Sequence, residues 1–392
     1  MRALRAIVVV LLIALGFLGG YFAGWYLHGE NQPLTSVGSG DETAEEAGKL
    51  QQRIIEELQS RYYKPVDAGS LSDAGVRGTL ESLDDPYTVY LTPEEVKAFE
   101  EKQKGEYSGI GASLEKTKAG LVITGVFEGS PAEKAGLQSG DTITAVDGKS
   151  TVDEAIEASI ARIKGEEGSQ VKLTVDPKGD EPEKSVTLTR RTIVIPETRT
   201  RMESAGGEKV GYIQLWEFGG NAARDVREDV ENLTADGAQS FILDLRNNGG
   251  GLLDQAVDVT GVFNTGVVTS TKGYNSPLNV LETQGPVETS KPLVVLVNGY
   301  SASASEIVTG ALKDSERAEI VGQRTFGKGL VQSIVDLGDG AALKLTTAVY
   351  LTPDGIDINK KGITPDVVVA DDPKTEKDEQ LQRALRYLAG LD

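Results

Sequence analysis

The stretch VNGYSASASEIVTGALK, residues 297–313, decides how this sequence is interpreted, because it joins a strand to a helix through three serines. It continues a run of strand-forming residues, LVVLV, that ends at Val297. Ser301, Ser303 and Ser305 alternate with alanines before the helical segment. Serines at such a junction cap helices or present a nucleophile. Because a serine hydroxyl is a poor nucleophile without a base, a catalytic role requires a base elsewhere in the chain.

The residue types that are missing restrict the chemistry. The 392 residues include no cysteine and one histidine, His28. Thiolate nucleophiles, disulfides, cysteine zinc sites and the usual histidine zinc sites are therefore excluded, and we expect no metal and no organic cofactor. The net charge of −20 repels phosphate backbones, so we expect no nucleic-acid partner.

The histidine follows a long apolar segment near the N-terminus. Residues 6–27 carry no charge, end in the interfacial aromatics Trp25 and Tyr26, and are long enough to span about 30 Å of hydrocarbon. The arginines of MRALR favour a cytoplasmic N-terminus. We therefore predict a single-pass transmembrane signal anchor over 1–30, with the remaining chain on the extracytoplasmic side of the cell membrane. A cleaved signal peptide is the alternative, and in either case His28 is badly placed to serve as a base.

Composition and periodicity divide the remaining chain into five regions. These are a flexible linker (31–48), an N-terminal helical region (49–104), a β-rich domain (105–192), an α/β domain (193–370) and a C-terminal helix (371–392). In the helical region Leu50, Ile54, Leu58 and Tyr62 recur every four residues. This region has little core of its own, so we expect it to pack on another surface, such as a second copy of itself.

Two patterns of strands distinguish the middle domains. For the β-rich domain we predict strands at 120–127, 141–148, 170–176 and 184–191, a short helix with turn signals within 130–141, and a helix at 151–164. From residue 209 strands alternate with helices, which is typical of an α/β domain with a covered sheet. We predict its later strands at 318–322, 331–337 and 342–351.

Glycines mark two candidate binding loops. Gly109-Ile110-Gly111 precedes a strand, so it is either a tight turn or a nest of N–H groups that holds a peptide's terminal carboxylate at a strand edge. The second loop, NNGGG (247–251), follows the strand FILDLR. It is either a structural turn or a source of free N–H groups for an oxyanion.

Lys328 is the candidate base for a catalytic serine. It lies between two glycines in RTFGKGLVQ (324–332), so the main chain can approach another element closely. An ordinary lysine amine has a pKa of about 10.4, and burial lowers the pKa toward neutrality by disfavouring the charged form. An exposed lysine in a glycine-rich loop is the alternative.

The sequence resembles the carboxyl-terminal processing, or tail-specific, proteases, which are serine peptidases with a Ser–Lys catalytic pair and a PDZ domain. Gly-Ile-Gly followed by SPAEKAGLQSGDTITAVDGK (130–149) is similar to a bacterial PDZ domain. The resemblance covers residues from about 50 to 370. Its other matching segments are LESLDDPYTVYLTPEE (80–95), DLRNNGGG (244–251), SASASEIVTGAL (301–312), VGQRTFGKGLVQ (321–332) and YLTPDGIDINKKGITPDV (350–367).

The resemblance implies roles for individual residues. It implies Ser303 as the nucleophile, Lys328 as the base and Gln332 as the group that orients the amine. The oxyanion hole combines the amide of Ala304 with that of Gly250 or, as a second choice, Gly249.

The resemblance also assigns a binding role to the β-rich domain. It implies that Gly109, Ile110 and Gly111 bind a substrate C-terminus. The sequence departs from many relatives at Lys164, where they carry an arginine; this side chain is a candidate link between the PDZ domain and the peptidase core.

The expected fold is a multi-domain α/β protein with a membrane anchor, a helical region, a PDZ domain and a serine-peptidase core. The expected function is endopeptidase processing of exported proteins that have free, apolar C-termini. The family further implies a homodimer and an adaptor or regulatory protein as partners. A catalytically silent PDZ scaffold or adaptor at the cell envelope is the alternative.

Overall fold

The computed structural model describes residues 44–179, 181–370 and 377–391 of the chain. Its helices are, in chain order, α1 (Ala44–Arg61), α2 (Ala68–Glu81), α3 (Pro93–Lys104), α4 (Pro131–Lys134), α5 (Ile156–Ile163), α6 (Ala222–Ala235), α7 (Leu253–Phe263), α8 (Ala304–Asp314) and α9 (Glu379–Leu388). Its strands are β1 (Val89–Leu91), β2 (Glu106–Gly109), β3 (Ala112–Thr117), β4 (Gly120–Val126), β5 (Thr142–Val146), β6 (Lys149–Ser150), β7 (Gln170–Asp176), β8 (Lys184–Thr189), β9 (Arg191–Val194), β10 (Thr198–Ala205), β11 (Glu208–Leu215), β12 (Ser240–Asp244), β13 (Val267–Gly273), β14 (Asn279–Glu282), β15 (Leu293–Val297), β16 (Glu319–Gly322), β17 (Leu330–Gly338), β18 (Ala341–Leu351) and β19 (Val367–Val368).

The predicted membrane anchor, with residues 6–27 and His28, lies outside the described residues, as does the linker up to residue 43. Within the described ranges, no helix has both the length and the apolar character that a membrane span requires.

The chain forms two compact units, which divide after Gly78. The first unit contains the predicted helix, which forms as α1 with acidic residues in its first turn and Arg61 in its last. That charge order complements the helix dipole. Leu50 and Ile54 are 47% and 52% exposed on this helix.

The β-rich domain is built on an antiparallel sheet in the order β3-β4-β5-β7-β8, with β6 paired to β5. Strands β4, β5, β7 and β8 correspond to the four predicted strands. Helix α4 starts at Pro131, and the hydroxyl of its cap residue Ser130 accepts a hydrogen bond from the Glu133 amide at 3.2 Å. The buried core of this domain includes Leu121, Ile143 and Leu173.

The helix predicted at 151–164 is shorter than expected. Helix α5 begins at Ile156. The preceding residues are committed to other bonds. The hydroxyl of Thr151 donates to the Ile143 carbonyl at 2.7 Å, and the ammonium of Lys116 donates to the carbonyls of Thr151 and Val152. These bonds hold the segment against the sheet and delay the start of the helix.

A six-stranded sheet forms the α/β core in the order β10-β11-β12-β15-β16-β19. Strands β10 and β11 are antiparallel, and the other neighbours are parallel. Every residue of β12 and β15 is buried, as expected for parallel strands covered on both faces. Leu243 and Val295 pack with α6, α7 and α8, whereas Ile242 and Val294 pack with α9. The segments after β12, β15 and β16 therefore meet at one edge of the sheet.

A second, antiparallel sheet has the order β1-β18-β13-β14, with β17 paired to β18. Strands β17 and β18 correspond to the strands predicted at 331–337 and 342–351. Strands β1, β13 and β14 were not predicted; β1 has three residues, and β13 (VVTSTKG) has little apolar alternation.

The terminal helix is fixed to the core by a cluster of charges. The Arg246 guanidinium bonds the buried Asp244 carboxylate, with one contact at 2.6 Å, and reaches Asp378 at 2.8 Å. Asp378 caps α9 by accepting from the Leu381 amide at 2.9 Å. The Tyr212 hydroxyl also donates to Asp244, at 2.5 Å. The cluster joins two parallel strands to α9.

A buried carboxylate lies where the chain leaves the β-rich domain. Glu197 is 4% exposed and accepts hydrogen bonds from the amides of Gly219 at 2.8 Å and Asn221 at 3.3 Å, at the start of α6. A β-carbon at Gly105, where the chain enters the same domain, would lie 2.6 Å from a Glu197 carboxylate oxygen. Burial raises the pKa of Glu197 to about 7, with a smaller contribution from the negative charges of Asp225 and Glu217.

We predict that Arg246→Ala destabilises the core by about 3–5 kcal/mol, because it leaves the Asp244 carboxylate buried without its partner. Chemical denaturation followed by circular dichroism measures the change. The matched control is Arg227→Ala, since Arg227 pairs with Glu288 near the surface at 3.1 Å and is 40% exposed. That variant is expected to lose less than about 1 kcal/mol. Equal losses in the two variants would contradict the account.

We predict a pH-dependent stability difference between the wild type and Glu197→Gln. Because the folded-state pKa is raised, the folded protein binds more protons than the unfolded chain between about pH 4.5 and 7. Glu197 therefore lowers wild-type stability as the pH rises through this window. Relative to the wild type, the variant should gain up to about 3 kcal/mol between pH 5 and 8. Glu231→Gln, on the exposed face of α6, is the control, and a pH-independent difference for Glu197→Gln would refute the prediction.

Candidate active site

A cavity of about 580 Å³ opens where the loops at the carboxyl edge of the parallel sheet meet α3, β17 and β18. It brings together six predicted site residues, namely Gly249, Gly250, Ser303, Ala304, Lys328 and Gln332. The predicted residues of the β-rich domain, Gly109, Ile110, Gly111 and Lys164, do not line it.

The three serines of the strand-to-helix junction have different surroundings. Ser301 and Ser305 are fully buried, and their hydroxyls donate to the carbonyls of Leu245 at 2.8 Å and Asn248 at 2.9 Å. These two serines fix the junction to the glycine turn. Ser303 is partly exposed and lines the cavity, so it is the serine that a ligand can reach.

Ser303 has an unusual backbone conformation. Its φ of 56° and ψ of −114° lie in a region that residues other than glycine rarely adopt. Gly250 lies against this part of the chain, where only a residue without a side chain fits. A β-carbon at Gly250 would lie 2.7 Å from the Ala302 carbonyl oxygen and 2.8 Å from the Ser303 β-carbon. The glycine turn is thus in close contact with Ser303 at the start of α8.

The carboxylate of Glu306 joins the serine to the lysine loop. Glu306 is fully buried and accepts hydrogen bonds from four donors. These are the amides of Ser303 at 2.9 Å, Gly327 at 2.7 Å and Lys328 at 2.8 Å, and the hydroxyl of Thr325 at 2.6 Å. Glu306 was not among the residues predicted from the sequence, although S-x-x-E at a helix start is the capping-box signature that could have identified it.

The two glycines beside Lys328 allow close main-chain contact, as predicted. A β-carbon at Gly327 would lie 2.9 Å from the amide nitrogen of Gly362, and one at Gly329 would lie 2.7 Å from that of Asn359. The Lys360 amide donates to the Gly327 carbonyl at 2.7 Å. The lysine loop is therefore packed between α8 and the 358–362 loop.

The side chain of Lys328 is half-buried, and its ammonium lies 4.7 Å from the centre of the Tyr87 ring. In the described residues, no hydrogen bond joins the Lys328 ammonium to the Ser303 side chain. Burial lowers the pKa of the Lys328 amine below its usual value, the positive charge of Lys344 lowers it further, and Glu306 opposes both. The amine therefore loses its proton more easily than an ordinary lysine does.

Tyr350 contacts both Lys328 and Ser303. Its hydroxyl donates to the Lys328 carbonyl and interacts with the Ser303 side chain. Burial raises the pKa of the Tyr350 phenol well above its usual value, so the phenol stays a donor at neutral pH. Tyr87 and Tyr350 lie in segments that carry the family resemblance, but their contacts with Lys328 were not predicted, because those contacts depend on strands distant in the chain.

Ala304, Gly249 and Gly250 line the cavity together with Ser303. Ala304 begins α8, so its N–H has no acceptor within the helix. The Gly250 amide donates to the Asn248 side chain at 2.9 Å, whereas no acceptor for the Gly249 amide lies among the described residues. This geometry favours Gly249 over Gly250 as the partner of Ala304 in an oxyanion hole.

Gln332 lies on β17 and lines the cavity. Its side-chain amide donates to the Thr346 hydroxyl at 3.4 Å, a long hydrogen bond. The predicted contact with Lys328 is not made in this arrangement.

In the β-rich domain, the glycine loop leads into a sheet edge. Gly111 has a φ of 76°, and a β-carbon there would lie 2.3 Å from the Ser130 side chain. Strand β3 begins at Ala112 and lies at the end of the sheet, where it pairs with β4.

Lys164 connects this domain to α3. Its ammonium contacts Glu101 at 2.8 Å and lies 5.1 Å from the centre of the Tyr107 ring. Helix α3 also contributes Phe99 and Gln103 to the cavity. Across the described ranges, no cluster of His, Asp or Glu residues is arranged to hold a metal ion.

Three family models match the sequence. They describe Peptidase family S41 over residues 209–369, a PDZ domain over 122–177, and the activating protease CtpB N-terminal domain over 13–95.

Individual relatives agree with these matches. A carboxyl-terminal-processing protease from Picosynechococcus sp. is 40% identical over 316 residues, which are 80% of this chain and 76% of that protein. A probable CtpA-like serine protease from Staphylococcus haemolyticus is 38% identical over 80% of this chain, and the match spans 63% of its length. The solved structure of a photosystem II D1 C-terminal processing protease superposes with a TM-score of 0.51 at 30% identity, covering 88% of this chain and 97% of that one.

These matches confirm the predicted combination of a PDZ domain with an α/β peptidase core. The chain belongs to the carboxyl-terminal-processing proteases, and its α/β domain matches Peptidase family S41.

Proposed function

We propose that the protein is a serine endopeptidase that cuts exported proteins near their C-termini, with Ser303 as nucleophile and Lys328 as base. The observation that carries the proposal is the junction at Ser303. A partly exposed serine, two residues whose amides have no acceptor among the described residues (Ala304 and Gly249), and a half-buried lysine with a lowered pKa line one cavity. These are the components that acyl transfer requires when no histidine is available.

The reaction begins when the Lys328 amine accepts the Ser303 proton and the serine oxygen attacks a peptide carbonyl. The amides of Ala304 and Gly249 stabilise the negative oxygen that forms. The protonated lysine then gives its proton to the leaving amine, and water hydrolyses the acyl-enzyme with Lys328 again as base. Before the first step, the Lys328 ammonium must leave the Tyr87 ring and approach Ser303. Gln332 orients the amine in that position.

The PDZ domain selects the substrate. An extended chain end adds to the β3 edge, and the loop of Gly109, Ile110 and Gly111 holds its terminal carboxylate. Lys164 relays the presence of the bound peptide to α3 through Glu101. The position of Phe99 and Gln103 on the same helix supports this coupling.

We also propose where the enzyme is located and which proteins it associates with. Residues 6–27 anchor the enzyme in the cell membrane, with the peptidase on the extracytoplasmic side. The 49–104 region supports a homodimer, in which the exposed Leu50 and Ile54 are covered. An adaptor or regulatory protein controls access to the site.

A PDZ scaffold without peptidase activity is the second candidate. The observation in its favour is that the Lys328 ammonium lies over Tyr87 and is not bonded to Ser303. A gated enzyme in its resting state would have the same arrangement. A measurement of peptidase activity is therefore needed to distinguish a protease from a scaffold.

We predict that the full-length enzyme cleaves an unfolded reporter protein, and that Ser303→Ala and Lys328→Ala each reduce kcat/KM by at least about 10³-fold, since nucleophile and base act as one unit. Product masses identify the cut sites. Lys361→Ala, at a 67% exposed lysine of the neighbouring loop, is the control and keeps full activity. Activity retained in Lys328→Ala would exclude Lys328 as the base. No cleavage by any form while a C-terminal peptide is bound to the PDZ domain would favour the scaffold, because the bound peptide opens a gated enzyme in the coupling proposed through Lys164.

A further inference from the structure

Lys344 is a second lysine of the active-site cavity, and the mechanism above does not use it. It lies on β18, opposite Ile334 of β17 on one side and Val89 of β1 on the other. Its ammonium lies 5.2 Å from the centre of the Phe99 ring on α3. Ile334 and Phe99 also line the cavity, so the Lys344 side chain is directed to the same space as Lys328.

The charges around Lys328 come from several elements. Helix α8 contributes the negative charge of Glu306, and β18 contributes the positive charge of Lys344. Two uncharged phenols, Tyr350 of β18 and Tyr87 of the segment before β1, also lie close to Lys328. Glu217 lies on the loop after β11 and lines the cavity. Among the described residues that line the cavity, Lys328 and Lys344 carry the positive charges.

Glu306 is the acidic group that acts on Lys328. Its carboxylate accepts four hydrogen bonds, including those from the amides of Gly327 and Lys328. Those donors partly offset its negative charge. The positive charge of Lys344 acts in the same direction as burial and disfavours the charged form of the Lys328 amine.

We propose that Lys344 is a positioning residue for the peptidase reaction, which acts through Lys328 by repelling its ammonium form. The proposal rests on the proposed function, because it assigns Lys344 to the base of that reaction. A lysine next to a second cation is a recognised way to obtain a free amine at neutral pH. Burial is the larger cause of the lowered pKa of Lys328, and the charge of Lys344 is the next. The direction of this effect agrees with the geometry.

The positive charge of Lys344 determines the direction in which its removal changes kcat/KM. Removing the Lys344 charge raises the pKa of Lys328, so less free amine is present at a given pH below that pKa. The acid limb of kcat/KM then moves to higher pH, while the rate on the alkaline plateau stays the same. An upward shift of about one pH unit lowers kcat/KM about tenfold on the acid limb.

The experiment compares pH profiles of kcat/KM for the full-length wild type, Lys344→Met and Lys344→Arg. Lys344→Met should move the acid limb upward by about one unit, whereas Lys344→Arg, which keeps the charge, should follow the wild type. Lys344→Gln serves as a second neutral variant if Lys344→Met fails to fold. Lys272→Met, at an exposed lysine of β13, is the matched control and should leave the profile unchanged.

A second readout does not require peptidase activity. Lysine side chains labelled with ¹³C and ¹⁵N are titrated by NMR in Ser303→Ala, with and without Lys344→Met, and the Lys328 signal is assigned by its loss in Lys328→Arg. A rise of about one unit in the Lys328 pKa supports the proposal, even if the wild type proves to be a scaffold. An unchanged Lys328 pKa overturns it, even if Ser303 and Lys328 prove to be catalytic. A rise in KM without movement of the acid limb also overturns it, because that result assigns Lys344 to substrate binding.

Discussion

The active site depends on one buried carboxylate, that of Glu306. Its hydrogen bonds join the amide of Ser303, at the start of α8, to the amides of Gly327 and Lys328 in a loop more than twenty residues away. Four donors share one fully buried group, so neither segment can move without leaving polar atoms unsatisfied. Glu306 therefore fixes the main chains of Ser303 and Lys328 relative to each other.

Glycine makes the remaining contacts possible. Gly250 allows the turn after β12 to touch the main chain of Ser303, and Gly327 and Gly329 allow the lysine loop to touch the 358–362 loop. At each of these positions a β-carbon would collide with main-chain atoms. The parallel sheet brings the segments to one edge, and the glycines let them approach to hydrogen-bonding distance. The resulting arrangement separates Ser303, next to Tyr350, from Lys328, above Tyr87.

The sequence predicted the parts of this arrangement that depend on local patterns. The alternation of strands and helices from residue 209 predicted an α/β domain with a covered sheet, and the glycines beside Lys328 indicated close main-chain contact. The residues that sequence reasoning missed act across long separations. Tyr87, Lys344 and Tyr350 become neighbours of Lys328 through β1 and β18, and no local pattern encodes that pairing. That the Gly250 amide is bonded to the Asn248 side chain is likewise visible only in three dimensions.

The most direct test of the central claim is the rate at which a fluorophosphonate probe labels the full-length protein, with the modified residue identified by mass spectrometry. The account predicts one adduct, on Ser303, and labelling at least about 100-fold slower in Lys328→Ala, because the serine then lacks its base. An adduct on Ser301 or Ser305, or equal labelling rates in the two proteins, would contradict it.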